Sequence, residues 1–256
     1  MILTIDVGNT NTVMGVFDKK EKLLFDIRIE TNASRMADEY VIILMNILSL
    51  NKVEGAEIKG AIISSVVPPV SEQIKNALKK LFGIEPMLVG PGVKTGLNIR
   101  IDDPATLGAD MCCVGVAAKE FYPLPCIVID LGTATKVFAV NEKSEFLGGI
   151  IGVGVKMALD ALSSNTAALP LISTGKVEKA IGTNTVDCMR SGTILGMACM
   201  LDGFIERFEA EMGKAASIVA TGGLSGLIIP YCKREITHDP DLLLNGLLAI
   251  YNKNKK

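Results

Sequence analysis

Two patterns of apolar and polar residues run along the chain, and together they predict a mixed α/β protein. Short apolar runs bounded by glycine, proline or charged residues are typical of strands, whereas apolar residues spaced three or four positions apart are typical of helices. The first pattern predicts strands at Ile2–Asp6, Thr12–Phe17, Leu23–Glu30, Gly60–Val67, Pro86–Val89, Cys126–Asp130, Val137–Val140, Phe146–Ile151 and Ser217–Ala220. The second predicts helices at Ser34–Leu48, Val70–Phe82, Pro104–Tyr122, Val155–Leu162, Asp187–Met212 and Asp241–Tyr251.

The longest predicted helix, Asp187–Met212, is apolar on more than one side. Its large apolar residues are Met189, Ile194, Met197, Met200, Leu201 and Phe204. Such a helix is either part of the core or part of a dimer interface, and the pattern alone leaves both open.

An internal repeat divides the chain into two similar halves. The stretch from Asp6 to Val16 reads DVGNTNTVMGV, and the stretch from Asp130 to Val140, 124 residues later, reads DLGTATKVFAV. Both follow an apolar strand, and both place Asp-x-Gly at the turn into the next strand. We therefore expect two related mixed sheets flanked by helices, each with a hairpin whose turn carries this motif.

Each of these turns has the residue types of a phosphate and cation site. Glycine lets a phosphate approach the backbone closely, and the N–H and hydroxyl groups that follow can bind its oxygens. An aspartate at a strand end can hold a hydrated cation directly or through water. The alternative is that both are ordinary hairpin turns. The repeat of the motif at about half the chain length argues against this alternative.

Composition narrows the class of protein. The chain has 256 residues, 49% of them apolar, and a mean hydropathy of +0.39. That apolar fraction excludes intrinsic disorder.

A membrane-spanning helix needs about 20 largely uncharged apolar residues, whereas the strongest apolar stretches are short or carry charges such as Asp130 and Lys136. With Asp6 so early, the N-terminus is not expected to be a signal peptide, and the apolar excess is expected in a soluble core with no membrane partner.

The net charge and the spacing of the cysteines argue against two further classes of protein. Lys+Arg is 26 and Asp+Glu is 28, which gives a net charge of −2, and no basic run precedes the tail, so nucleic-acid binding is not expected. The six cysteines form no CxxC pair, which argues against a zinc site. They are expected to be core thiols of a cytoplasmic protein, and the single histidine, His238, is expected to be structural.

Several motifs, in order along nearly the full chain, resemble those of the type III pantothenate kinase family. They are DVGNTNTVMGVFD (from Asp6), PGVKTGLNIR (from Pro91), DDPATLGAD (from Asp102), DLGTAT (from Asp130), IGTNTVDCMRSGTILG (from Ile181), ATGGL (from Ala220) and HDPDLLLNGLLAIYNKN (from His238). The family belongs to the actin, acetate kinase, Hsp70 and sugar kinase superfamily. The resemblance implies an α/β fold of duplicated ribonuclease H-like, actin-like ATPase domains: an N-terminal half, 1–107, with the first phosphate loop, and a C-terminal half, 108–256, with the second phosphate loop, an adenosine motif and dimerisation helices.

The resemblance also implies an activity and its residues. The activity is ATP-dependent phosphorylation of pantothenate to 4′-phosphopantothenate, the first step of coenzyme A biosynthesis, with Asp110 as general base. Asp6 would hold Mg²⁺, and Asp130 would hold a monovalent cation, potassium or ammonium. ATP would be bound by Asp6, Val7, Gly8, Asn9, Thr10, Asn11, Thr12, Val13, Thr133, Gly222 and Gly223. The acceptor would contact Ile101, Gly108, Ala109, Asp110, Met111 and Thr185, the last from a neighbouring subunit, which implies a homodimer.

This sequence departs from the family pattern at several of these places. Met111 replaces an arginine that can clamp a carboxylate, Ile101 replaces a tyrosine and Val114 replaces an asparagine, so the acceptor pocket is expected to be more apolar. Near the second loop the departures are Lys136 for threonine, Phe138 for aspartate and Val153 for proline. Lys136 is expected either to supply a cation near the phosphates or to be an exposed or snorkelling side chain.

These departures leave three functional hypotheses open. The chain is an active pantothenate kinase with a rearranged pocket, in which Lys136 or Lys156 contacts the carboxylate. Alternatively, it phosphorylates a less anionic hydroxyl compound. In the third hypothesis it is a non-catalytic or regulatory paralogue that keeps the fold and binds nucleotide.

Overall fold

The computed structural model describes residues 1–255, which form two compact units. Unit 1 contains Met1–Gly96, Ala105–Ala117 and the described residues from Leu243 onward, and unit 2 contains Leu97–Pro104 and Ala118–Leu242. These units differ from a division into 1–107 and 108–256, because the chain returns twice to unit 1. No helix within residues 1–255 has both the length and the apolar composition needed to cross a membrane.

Unit 1 is a five-stranded mixed sheet with helices. Its strands are β1 (Ile2–Val7), β2 (Asn11–Phe17), β3 (Leu23–Glu30), β4 (Gly60–Ser65) and β5 (Met87–Leu88), in the order β3-β2-β1-β4-β5. The first three strands are antiparallel neighbours, and β4 and β5 continue parallel to β1. The helices are α1 (Ala37–Leu50), α2 (Pro68–Phe82), the first nine residues of α3 (Ala109–Phe121) and, at the end of the chain, a helix over Leu242–Asn254.

Unit 2 repeats this plan with one added strand. Its strands are β6 (Asn98–Ile99), β7 (Cys126–Leu131), β8 (Ala134–Val140), β9 (Glu145–Val153), β10 (Ser217–Thr221) and β11 (Thr237–His238), in the order β11-β10-β7-β8-β9-β6. Its helices are α4 (Val155–Ser164), α5 (Thr185–Arg190), α6 (Gly196–Met212) and α7 (Ser225–Ile228). The terminal helix Leu242–Asn254 is therefore α8. The predicted duplicated α/β fold is confirmed.

The structure corrects the alignment of the two repeats by one residue. In unit 1, Val7 pairs with Thr12 across a four-residue turn, whereas in unit 2 Leu131 pairs with Thr135 across a three-residue turn. Beyond the turn, each residue of β2 therefore corresponds to a residue 123, not 124, positions later. Both second strands have the same alternation of buried and half-buried residues, which supports this register. Consequently Lys136 corresponds to Val13, not to Thr12.

Each unit has its own apolar core, to which both its strands and its helices contribute buried residues. Ile5, Met14 and Ile63 are fully buried in unit 1, and Ile129, Val137 and Leu201 in unit 2. The last helix belongs to unit 1 because it packs closely there: a Cβ on Gly246 of α8 would overlap the carbonyl of Cys113 in α3.

Several predictions about single elements need correction. The predicted helix Asp187–Met212 begins at Thr185 and contains a π-helical turn at Ser191–Leu195 between α5 and α6. Its residues Met189, Ile194, Met197 and Leu201 are core residues. Of the six cysteines, Cys188 and Cys199 are exposed, so they are not core thiols; all six are free.

Candidate functional site

The first candidate turn lies at the end of β1 in unit 1. Asp6 is half-buried near the end of the strand, and the backbone N–H of Gly8 donates to the carbonyl of Asn11 at 3.0 Å. Asn9 and Thr10 are exposed at the tip of this turn. The motif therefore forms a tight, solvent-facing turn beside a carboxylate, as the sequence predicts.

A threonine network holds this turn from inside the unit. The hydroxyl of Thr31 donates to the carbonyl of Gly8 at 2.8 Å, so the hydroxyl of Thr12, 2.9 Å away, donates to Thr31. The side chains of Thr12 and Val7 are fully buried. Of the predicted ATP-binding residues, these two are therefore buried in unit 1 and support the turn from inside, as does Thr31, which no sequence motif indicated.

The predicted general base lies in the same unit as Asp6. Asp110 is half-buried in the first turn of α3, and its Oδ1 accepts the backbone N–H of Met111 at 2.8 Å. Burial raises the pKa of the Cys113 thiol well above its usual value, and the nearby charges of Asp6 and Asp110 act in the same direction. Both carboxylates therefore act on one buried thiol, and both residues belong to unit 1.

The second candidate turn lies at the end of β7 in unit 2. The backbone N–H of Gly132 donates to the carbonyl of Ala134 at 3.1 Å, and Thr133 is exposed at the tip. A Cβ on Gly154, the N-cap of α4, would overlap the carbonyl of Thr133. The start of α4 therefore packs directly against this turn.

A lysine ion-pairs with the carboxylate of the second turn. The Nζ of Lys136 lies 3.0 Å from Oδ2 of Asp130, and each side chain is 18% exposed. Of the two expectations for Lys136, an exposed side chain is wrong. Its ammonium group lies on the carboxylate that was predicted to hold a monovalent cation.

The predicted adenosine motif adjoins the second turn. Gly222 has a φ of +93°, and a Cβ at this position would lie 2.6 Å from the backbone of Leu131. Only glycine fits this left-handed conformation and this close approach without strain. The structure therefore brings Gly222 and Gly223 next to Asp130–Thr133 within unit 2.

A hydrogen-bonded pair of side chains, Ser225 and His238, which no sequence motif indicated, supports this motif. The hydroxyl of Ser225 donates to the carbonyl of Gly222 at 2.6 Å and lies 2.8 Å from Nε2 of His238. Since the hydroxyl hydrogen of Ser225 is donated to Gly222, Nε2 of His238 must carry the hydrogen in its own hydrogen bond to Ser225. His238 therefore has the structural role expected for it.

The predicted acceptor residues fall in both units. Gly108, Ala109 and Met111 are half-buried around the start of α3 in unit 1, whereas Ile101 belongs to unit 2, where a Cβ on Gly148 would lie 3.5 Å from it. Thr185 is exposed at the start of α5, whose N-cap is Asn184.

Three of the departures from the family pattern differ in how far the structure buries them, and Val114 does not lie where it was expected. Val114 is 2% exposed and Phe138 is fully buried, so both are core residues and neither side chain lines a pocket. Phe138 packs against Phe146 with ring centroids 5.0 Å apart. Val153 is 58% exposed. The apolar change expected on the acceptor side is therefore limited to Ile101 and Met111.

A polar cavity of about 220 Å³ lies beside the helix that carries Thr185. Its lining is mostly charged or polar and includes Lys176, Glu178, Lys179, Thr183, Asp187 and Arg190. No sequence pattern predicts this cavity, because its lining comes from an irregular segment and one face of a short helix.

The chain is similar to known proteins along most of its length. The family model for type III pantothenate kinase matches residues 2–207. A type III pantothenate kinase from Moorella thermoacetica is 42% identical over 254 residues, covering 99% of this chain and 100% of the relative. One from Halalkalibacterium halodurans is 41% identical over 254 residues, with the same coverage of both chains.

Solved structures at lower identity share the fold. A Baf family transcriptional activator from Campylobacter jejuni is 19% identical, with a TM-score of 0.64 and 98% of both chains covered. Component A of the (R)-2-hydroxyglutaryl-CoA dehydratase from Acidaminococcus fermentans is 15% identical, with a TM-score of 0.56 and coverage of 98% of this chain and 96% of the other. Since the family model spans most of the chain and the 41–42% identities span nearly all of it, the chain belongs to the type III pantothenate kinase family.

Proposed function

We propose that the chain transfers the γ-phosphoryl group of ATP to the hydroxyl of pantothenate, giving 4′-phosphopantothenate, the first step of coenzyme A biosynthesis. The observation that carries this proposal is the 42% identity to a type III pantothenate kinase along the whole of both chains. The two Asp-x-Gly turns agree with it, since phosphoryl transfer depends mainly on positioning and on neutralising phosphate charge.

In this proposal, unit 1 supplies the metal ligand and the base. Within residues 1–255 no three His, Cys, Asp or Glu side chains form a metal cage, so a tightly caged ion is not expected. The half-buried Asp6 at a strand end fits Mg²⁺, which keeps several waters and is bound by one or two carboxylates plus substrate phosphates. The bound ion would neutralise phosphate charge. Asp110 accepts the proton of the attacking hydroxyl, and the turn Gly8–Asn11 orients phosphate through its backbone.

Unit 2 contributes the remaining nucleotide contacts. Thr133, exposed at its turn, contacts the phosphates, and the backbone of Gly222 and Gly223 lines the adenosine side. The predicted potassium or ammonium ion at Asp130 does not fit the residues present, because the Lys136 ammonium group already lies 3.0 Å from this carboxylate. No role is therefore assigned to a monovalent ion.

On the acceptor side we propose that Gly108, Ala109, Met111 and Ile101 contact pantothenate and that Thr185 contacts the acceptor bound by a second copy of the chain. The exposure of Thr185 agrees with such a contact. The corresponding homodimer is tested by light scattering, where a dimer has twice the 27.2 kDa mass of one chain.

A coupled ADP-release assay with pantothenate, ATP and Mg²⁺ tests the activity. Replacing the base in Asp110→Asn is expected to lower kcat about 10²–10⁴-fold. Asp26→Asn, which changes an exposed carboxylate on β3, is the control and should retain wild-type kcat.

Two results would contradict the proposal. If ATP raises the melting temperature but no ADP forms, the chain is a nucleotide-binding, non-catalytic member of the family. If another hydroxyl compound is phosphorylated and pantothenate is not, Met111 has changed the acceptor, since it lacks the charge that would clamp a carboxylate.

A further inference from the structure

The Asp130–Lys136 ion pair is built into the sheet. The two residues are direct partners in the antiparallel pairing of β7 with β8, so their side chains project from the same face. Both side chains are 18% exposed, and Nζ and Oδ2 are 3.0 Å apart. Register and partial burial together hold the ammonium group on the carboxylate.

The first repeat shows that the fold itself does not require this pair. In unit 1 the residue paired with Asp6 is Val13, at the position that corresponds to Lys136. The two second strands otherwise have the same burial pattern. A charged residue therefore stands at this position in one repeat only, where a partly buried lysine must be offset by a specific partner.

The ion pair also lies at the turn assigned to phosphate. Gly132 follows two residues after Asp130, and a Cβ there would lie 3.6 Å from Oδ1 of Asp130. The adenosine motif packs on Leu131, the residue between them. A positive charge fixed at Asp130 is therefore close to the backbone that would bind phosphate oxygens.

We propose that Lys136 is the permanent cation of the second phosphate turn, taking the place on Asp130 that a monovalent metal or ammonium ion would occupy. A second cation on this carboxylate would be repelled by the ammonium group and would have to displace it. This chain therefore works without potassium or ammonium, and Lys136 is a positioning residue for Asp130 and the turn. The inference rests on the proposed kinase activity.

The test compares monovalent cations in the coupled assay at constant ionic strength. Wild-type kcat in tetramethylammonium chloride, whose cation is too large for such a site, should lie within about twofold of kcat in potassium chloride. In Lys136→Thr, kcat in tetramethylammonium should fall about tenfold or more, and potassium or ammonium should restore it, because the carboxylate is then open to a small cation. The control Lys143→Thr, which changes an exposed lysine next to the same strand, should behave like wild type.

A second readout does not need activity. In Lys136→Thr without substrates, potassium should raise the melting temperature by about 2 °C or more relative to tetramethylammonium, because an ion that binds only the folded state stabilises it. Wild type should show no such difference. This measurement decides the inference even if neither protein phosphorylates pantothenate, an outcome that would refute the proposed function alone.

Two results would overturn the inference. One is a rise in the kcat or the melting temperature of the wild-type protein when potassium replaces tetramethylammonium, of the size expected for Lys136→Thr. This result would refute the inference even if Lys136→Thr does not fold. The other is a Lys136→Thr protein whose kcat and melting temperature are the same in both salts.

Discussion

Single residues at the two turns have roles that follow from their size and charge. Asp6 and Asp130 occupy equivalent strand ends, but the residues paired with them, Val13 and Lys136, differ in charge. Motif matching locates both aspartates and the glycines. It does not locate the ion pair, because a one-residue difference in turn length decides which side chain faces the carboxylate.

Gly222 gives a prediction at this scale. In Gly222→Ala, the positive φ and the approach to Leu131 should together lower the free energy of unfolding by about 1–3 kcal/mol. ATP should also stabilise the variant less than wild type. Urea unfolding with and without ATP measures both effects. Gly226→Ala is the control, since its Cβ would make only an ordinary contact of 3.4 Å with His238, and its stability should be no lower than that of wild type because alanine is favoured over glycine in a helix. Equal ATP stabilisation of Gly222→Ala and wild type would argue against the nucleotide role.

Sequence periodicity found the longer strands and helices and also the short β5, but it missed β6, β11 and α7. β6 and β11 have two residues each, too few for any period, and exist because β9 and β10 offer them partners. Pro68 and Pro69, which directly follow the predicted strand Gly60–Val67, are the first two residues of α2, where the missing backbone N–H has no helical partner to lose.

One ion pair joins α6 to the loop before β11 and gives a pH-dependent prediction. The guanidinium of Arg234 donates to both carboxylate oxygens of Glu209 at 2.8 Å, and this contact lowers the pKa of Glu209 below its usual value. A carboxyl group with a lowered pKa stabilises the fold above its unfolded-state pKa and loses this contribution as the pH falls through the folded-state pKa.

Glu209→Gln should therefore be less stable than wild type by about 1 kcal/mol near pH 7, a value discounted for the partial exposure of Arg234. The difference should shrink as the pH falls from about 4.5 to below the lowered pKa, where wild-type Glu209 is protonated. Urea unfolding at several pH values measures it, with Glu211→Gln on the exposed surface of α6 as control. A difference that does not change with pH would show that the ion pair is not its cause.

At the scale of the whole molecule, the chain is not divided at one point. α8 lies at the end of the sequence but belongs to unit 1, where Leu244, Leu247 and Ile250 are buried and Gly246 packs on α3. The core of unit 1 can therefore form only when the chain through residue 254 is present, because α8 supplies part of that core.

A chain that ends at Asp241, without α8, should lose its cooperative unfolding transition. Removing each large buried side chain costs about 2–5 kcal/mol, so the loss of several exceeds the usual stability of a domain, about 5–15 kcal/mol. A chain that ends at Asn254 keeps the hydrogen bond from the N–H of Lys94 to its side chain and should unfold like wild type. Calorimetry compares the two, and a wild-type melting temperature in the shorter chain would contradict this account.

The sequence by itself determined the α/β class, the duplicated strand-turn-strand motif, most element positions and the family, because these depend on local periodicity and on motifs that are contiguous in the chain. The tertiary structure alone decided the register beyond each turn, the buried places of Val114 and Phe138, the return of α8 to unit 1 and the contact between Lys136 and Asp130. These depend on which strands pair and how long each turn is. In an antiparallel pair, a shift of one residue moves a side chain to the opposite face of the sheet.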